Sequence, residues 1–287
     1  MITMFRVGAL VLVVGQACRE PSAPVATTAP VLDVPPMEAG VDPSAGTRNG
    51  VSFGHPVSRT GRVWRVVVQA QSLSHDPSGD PQVSTYDSSF AVEVVAVDGP
   101  APSRVRLRFL ENAESYQGNR KRTILDGKEY FVDARAPHVR DPSNVAAPEA
   151  EAQRVLDVFP DLGTRTRIDQ IVPIEPMQLG DRRDELAAAL LRIVHPRAWT
   201  LHAGTASLAR VEDGTGVFKV SLDASSESGL FMRLAGEARI ALVDAELVEM
   251  SLEGDYETKR DAGPPEPPGT ILYRRKVTSD PSPRTDR

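Results

Sequence analysis

The chain has 287 residues, of which 40% are hydrophobic and 25% charged, the balance of a globular protein. A net charge of −6 argues against phosphate-backbone binding, so no nucleic-acid partner is expected. Aromatic residues at 5% are too sparse for stacking platforms, and a single cysteine excludes an internal disulfide.

The first eighteen residues read as an export signal. Met1 to Arg6 bring one positive charge, Val7 to Gly15 are apolar or small without interruption, and Gln16-Ala17-Cys18 follow. A basic start, an apolar run of about 7–15 residues and a small residue before the cut describe a secretory signal peptide, expected over 1–17. The run is shorter than the roughly 20 residues of a membrane-spanning helix. The lone cysteine, Cys18, stands directly after Ala17, and unmodified it would be an odd free thiol in an exported chain. Together these residues resemble the lipobox of bacterial lipoproteins, with Gly15 and Gln16 departing from its commonest form. The resemblance implies removal of 1–17, acylation of Cys18 and a membrane as partner through that cysteine. Two or three acyl chains, at about 0.8 kcal/mol per buried methylene, would hold the chain firmly where one holds it marginally. Arg19 in place of an aspartate after the cysteine points to the outer membrane of the cell envelope.

Residues 18–50 are expected to be the lipidated cysteine and a disordered tether. Prolines recur at 21, 24, 30, 35, 36 and 43 among Ala, Ser, Thr and Gly, with no sustained period. Proline removes an amide hydrogen and fixes φ, so neither helix nor ladder propagates. The tether reaches roughly 30 Å or more from its anchor. At its end Gly50-Val51-Ser52-Phe53-Gly54 fits G-x-S-x-G. That motif needs a strand before the serine and a helix after it; a polar loop precedes it here and His55-Pro56 follows.

The first β region spans 51–145. Arg62 to Leu73 places Trp64, Val66, Val68 and Ala70 on one face, and Tyr86 to Val97 does the same with Tyr86, Phe90, Val92, Val94 and Ala96. Asp98-Gly99-Pro100 interrupts, and Arg104, Arg106 and Arg108 then oppose Val105, Leu107 and Phe109. Thr123 to Val132 reads as a hairpin turning at Asp126-Gly127. Arg120-Lys121-Arg122 before it reads as a solvated strand edge rather than a polyanion site.

A helical connector spans 146–196. Pro148 to Phe159 has Ala152, Val155, Leu156 and Phe159 at helical spacing, with acids in its first turn. Asp181 to Val194 is the stronger helix, with Asp181 as expected cap and Leu186, Leu190, Ile193 and Val194 as the buried stripe. Between them Pro173-Ile174-Glu175-Pro176, followed by Gly180-Asp181, is similar to the midpoint of β-rich bacterial envelope lipoproteins, in which one β half precedes such a segment and another follows.

The second β region spans 197–278. Trp199 to Val211 and Val217 to Ala224 bracket Glu212 to Gly216; Leu230 to Val243 and Leu247 to Tyr256 bracket Asp244-Ala245. Segment 91–109 echoes 204–222, which fits either a duplication or two unrelated hairpins. Thr270 to Thr278 is expected as a last edge strand and 279–287 as a disordered tail.

The expected class is therefore α+β, mainly antiparallel β: long-hairpin meanders forming one or two curved sheets with two central helices. Chemistry is not announced. The five histidines (55, 75, 138, 195 and 202) make no metal-ligand spacing, and His75, Asp76 and Asp80 read as solvated turn residues. No cofactor motif, metal set or catalytic constellation stands out. The leading expectation is non-catalytic binding or envelope organisation through a protein partner. A lipid or other apolar ligand carried between sheet and helices is the alternative, and an enzyme without a local motif the second alternative.

Overall fold

The computed structural model describes the backbone of residues 4–7 and 10–13, and residues 50–279 apart from 56–57, 77, 100, 135–137, 159–167, 169–170, 173–174, 195–198, 228 and 259–267. Cys18, the tether up to residue 49 and the tail from 280 lie outside the described residues. Near the start, β1 (Met4–Val7) and β2 (Leu10–Val13) pair antiparallel with each other.

Both β regions belong to one open, curved antiparallel sheet of 11 strands. The first contributes β3 (Val63–His75), β4 (Pro81–Asp98), β5 (Ala101–Tyr116), β6 (Asn119–Arg122), β7 (Glu129–Asp133) and β8 (His138–Arg140). The second contributes β9 (Trp199–Glu212), β10 (Thr215–Ser226), β11 (Leu230–Ala241), β12 (Leu247–Thr258) and β13 (Gly269–Ser279). The order across the sheet is β8-β7-β5-β4-β3-β13-β12-β11-β10-β9, with β6 also on β5. Thr270 to Thr278 is thus not an edge strand. It lies mid-sheet, bonded to β12 on one side and β3 on the other, and joins the two halves.

Local sequence explains most of the strands. Alternation puts Val66, Val68 and Ala70 of β3 and Val105, Leu107 and Phe109 of β5 on the buried face, and Arg104, Arg106 and Arg108 on the other. The β9–β10 turn is set by Asp213 (φ 50°) and Gly214 (φ 72°), two consecutive positive φ values of the type I′ kind. Strands run longer than the alternation alone suggests because bulges reset it. On β5 Phe109 pairs with Phe90 and Glu111 with Ser89, which leaves Leu110 as the extra residue and turns Asn112 and Glu114 inward. A similar shift between Arg239 and Ile240 pairs Ile240 with Leu247, so Leu247, Met250 and Leu252 are buried where Val248 is only partly so.

The expected hairpin over Thr123 to Val132 is a different structure. β6 and β7 do not pair with each other; both add to β5, at Ala113–Tyr116 and Arg104–Arg108 respectively. Residues 123–128 form the corner between them, closed by Asp126 N–H to Thr123 O and Lys128 N–H to Leu125 O. Gly127 supplies its positive φ of 71° to this corner, and Leu125 is buried beneath it.

Among the described residues two helices cover the buried face. α1 (Glu149–Val158) buries Val155. α2 (Asp184–Val194) buries Leu186, Ala187, Ala189, Leu190, Leu191 and Val194, a wider face than a single stripe. It starts at Asp184 rather than Asp181 because the backbone before it is engaged elsewhere: Asp181 O and Arg183 N–H bond Leu208 and Ala206 of β9. Asp181 does not cap the helix through its carboxylate, which accepts from Gln178 N–H. These bonds also cover part of the free edge of β9, as edge strands require. One continuous apolar core runs from Phe53 through all the long strands to both helices.

The other face of the sheet is dressed in cross-strand ion pairs. Glu129 accepts from Arg106 Nε (2.8 Å) and Arg108 Nε (3.1 Å), and Glu237 takes both terminal nitrogens of Arg210 (2.7 and 2.9 Å). Such pairs set register and solubility more than stability.

Candidate functional site

The polar side chains that face inward gather on the central strands. Across β5, β4, β3 and β13, one row in register is Glu114, Tyr86, Ala70 and Tyr273, and the next is Asn112, Ser88, Val68 and Arg275. Asn112 is buried and donates from Nδ2 to Tyr86 Oη (2.9 Å) and Ser88 Oγ (2.8 Å), while its Oδ1 accepts from Thr123 Oγ1. Its own N–H is held by Asp126 Oδ1 at 2.8 Å. Glu114 is paired with Arg154 of α1 at 3.2 Å.

The two phenols lie on either side of Ala70 in the register, and all three residues are buried. Burial pushes the Tyr86 hydroxyl above its ordinary value, although the Ser88 and Asn112 hydrogen bonds pull the other way. Burial likewise raises Tyr273, opposed by the positive charge and hydrogen bond of Arg275. Both therefore stay neutral hydroxyls at physiological pH, fit to donate and accept hydrogen bonds and poor as bases. Tyr273 Oη reaches Ile193 O at the end of α2 at 3.5 Å.

Arg275 is the unusual member. Along β13 the inward positions are Ile271, Tyr273, Arg275 and Val277, alternating with exposed Arg274, Lys276 and Thr278. Its register partners are Val68 and Met250, both buried and apolar. Its Nε is shut off from solvent and has no hydrogen-bond partner, while the residue as a whole is half-buried. No carboxylate among the described residues forms an ion pair with it.

α1 is pinned beside this face. Glu151 accepts from Lys128 Nζ at 2.6 Å and from the Tyr130 hydroxyl, and the Lys128 bond and then the Tyr130 bond hold its carboxyl below the usual range. Burial and then Glu151 raise Tyr130 in turn.

The residues singled out from sequence lie elsewhere. Gly50 to Gly54 form no strand-turn-helix: Val51 exchanges two backbone bonds with Met177, Phe53 packs on Phe218, and Ser52 is exposed. Asp76 accepts from Ser78 N–H, Ser78 Oγ and Asp80 N–H, so its loop is satisfied internally. Among the described residues no group of three His, Cys, Asp or Glu could hold a metal ion. Arg120, Lys121 and Arg122 are all exposed on β6, in keeping with the solvated-edge reading. His202, exposed on β9, bonds Ser225 of the neighbouring β10. Arg275 escaped notice because the run Arg274-Arg275-Lys276 reads as a charged edge. The signal was the phase of Ile271 and Tyr273, which puts Arg275 on their side.

No family model matches the chain, and no curated protein does. Among solved structures, an acetoacetate decarboxylase-like enzyme from Sphingomonas wittichii RW1 aligns over 82% of this chain and 100% of its own, at 10% identity and a TM-score of 0.18. That score is too low to carry fold or activity from one protein to the other.

Proposed function

We propose that the chain is a lipid-anchored binding protein of the bacterial cell envelope, acylated at Cys18 and holding its sheet domain off the outer membrane on a proline-rich spacer. The anchor rests on the run from Arg6 through Val7–Gly15 to Ala17-Cys18. Binding is assigned to the inward face, and the observation that carries it is the cluster of Tyr86, Asn112, Ser88, Tyr273 and Arg275 in the middle of an otherwise apolar core. The outer face supports a docking role less well. Its charges are largely paired, and the exposed large apolar residues Val97, Leu110, Ile124, Val145, Leu179, Val211 and Val243 are spread over as many strands and turns. Neutral phenols with raised pKa values suit recognition better than acid–base catalysis.

The anchor is tested by mass spectrometry of the mature N-terminus and by membrane fractionation of a Cys18→Ser form. An acylated Cys18 as first residue, and release of the serine form from membranes, are expected. An unmodified cysteine, or equal membrane retention of the serine form, overturns the anchor.

A further inference from the structure

Building on the binding reading above, we infer that the inward face takes an amphipathic monoanion, a carboxylate on an apolar chain, with its head on Arg275 and the Tyr273 hydroxyl. A guanidinium facing a hydrophobic core costs stability unless a counter-charge meets it. Several partly buried arginines have one: Arg154 has Glu114 at 3.2 Å and Arg62 has Glu246 at 2.6 Å, and Arg104, whose Nε likewise lacks a hydrogen bond, still has Asp133 at 3.4 Å. Arg275 has no carboxylate partner among the described residues, and its Nε, closed off from solvent, has no hydrogen bond. A fixed donor and an unmet charge in the middle of the sheet are what an absent anion would complete.

The charge count sets the class. One guanidinium and neutral phenols compensate one negative charge; a dianion would leave a second charge stranded beside Val68 and Met250. A planar carboxylate matches the arginine fork through two parallel hydrogen bonds. The register neighbours Val68 and Met250, with Val66 and Val277 one step along, are all apolar, so the remainder of the ligand would have hydrocarbon neighbours on this face. The chemistry is therefore that of a fatty acid or a comparable long-chain carboxylate.

The test uses the purified full chain carrying Cys18→Ser, so that no acyl group of its own competes, titrated calorimetrically below the micelle concentration of each probe. Dodecanoate is expected to bind saturably. Dodecanol, acetate and dodecyl phosphate, which lack the charge, the tail or the single charge respectively, should bind at least about tenfold more weakly. Arg275→Met should weaken dodecanoate by about tenfold or more while leaving the melting temperature unchanged or raised, and Arg275→Lys should keep part of the affinity. Absent saturable dodecanoate binding, equal dodecanoate affinity in Arg275→Met, or phosphate preferred over carboxylate would each overturn the inference. These readouts use the purified protein, so they fail or succeed independently of whether Cys18 is acylated in the cell.

Discussion

Tyr273 on the last strand lies in register with Ala70 on the first strand of the main sheet, a residue far earlier in the chain. That pairing makes one sheet of two halves, each of which is otherwise built from sequence neighbours. It also means that the two halves become one sheet only once the C-terminal strand is in place. Arg274 tests this directly: its side chain is exposed, yet it pairs with Ser251 on one side and Gln69 on the other. Proline at an edge would be tolerated, whereas mid-sheet it removes a ladder bond and its ring collides with a neighbour. Arg274→Pro should cost about 1–3 kcal/mol in denaturant unfolding for the ladder bond it removes, and Arg274→Ala under about 0.5 kcal/mol. Equal, small losses for both would place β13 at an edge after all.

The Asn112 network makes a second prediction. Its side chain serves Tyr86, Ser88 and Thr123 at once, in a region with little water to substitute. Asn112→Ala leaves several buried groups short of partners and should cost roughly 2–4 kcal/mol by chemical denaturation. Adding Tyr86→Phe removes one of the stranded hydroxyls, so the double variant should lose less than the sum of the singles. Strict additivity would show that the groups do not act as a unit.

The hairpins were legible because each is local. Asp213-Gly214 carries its own turn geometry, and the alternation of β4, β5, β11 and β12 states which face is buried. The partnership of β13 with β3 was not legible, since nothing in Thr270–Thr278 names a strand that lies almost two hundred residues earlier. Arg274 and Lys276 look like edge charges, and they are indeed exposed, but on the outer face of a central strand. Asp126-Gly127 misled for a related reason. The same dipeptide that turns a hairpin also turns a corner, and what distinguishes them is burial of Leu125 and the bond from Asn112 N–H to Asp126, both long-range facts. The bulge at Leu110, which aims Asn112 and Glu114 inward, similarly depends on β4 and hid half of the polar cluster from a strict two-residue period.

Gly254 sits opposite Leu234 where β11 and β12 approach closely. A Cβ on Gly254 would fall far inside contact distance of the Arg233 carbonyl oxygen, and one on Gly236 would do the same to Ser251. Backbone cannot yield as a flexible side chain does. Gly254→Ala is therefore expected to cost about 1–3 kcal/mol despite the usual gain from restricting the unfolded chain. A neutral or stabilising result in thermal and urea melts would mean that the two strands can part without loss.

Acid should unfold the protein through its ion-paired glutamates. Burial would push Glu129 up, but the hydrogen bonds from Arg106 and Arg108 outweigh it and hold the carboxyl below its ordinary range. The Arg210 bond lowers Glu237, and the Lys128 and Tyr130 bonds lower Glu151. A carboxylate with a folded-state pKa below its unfolded value binds its proton more readily when unfolded. Its contribution is thus complete above the ordinary glutamate range, begins to fade as the pH falls below about 4–5, and is gone beneath the lowered folded value. Urea melts should therefore give a midpoint that is flat from neutrality to about pH 5.5 and falls steeply toward pH 3. Glu129→Gln should lower stability at pH 7 by about 1 kcal/mol, discounted for the exposure of Arg108, and flatten part of the acid limb. A variant whose acid limb stays parallel to that of the parent would show that Glu129 does not take part in the transition.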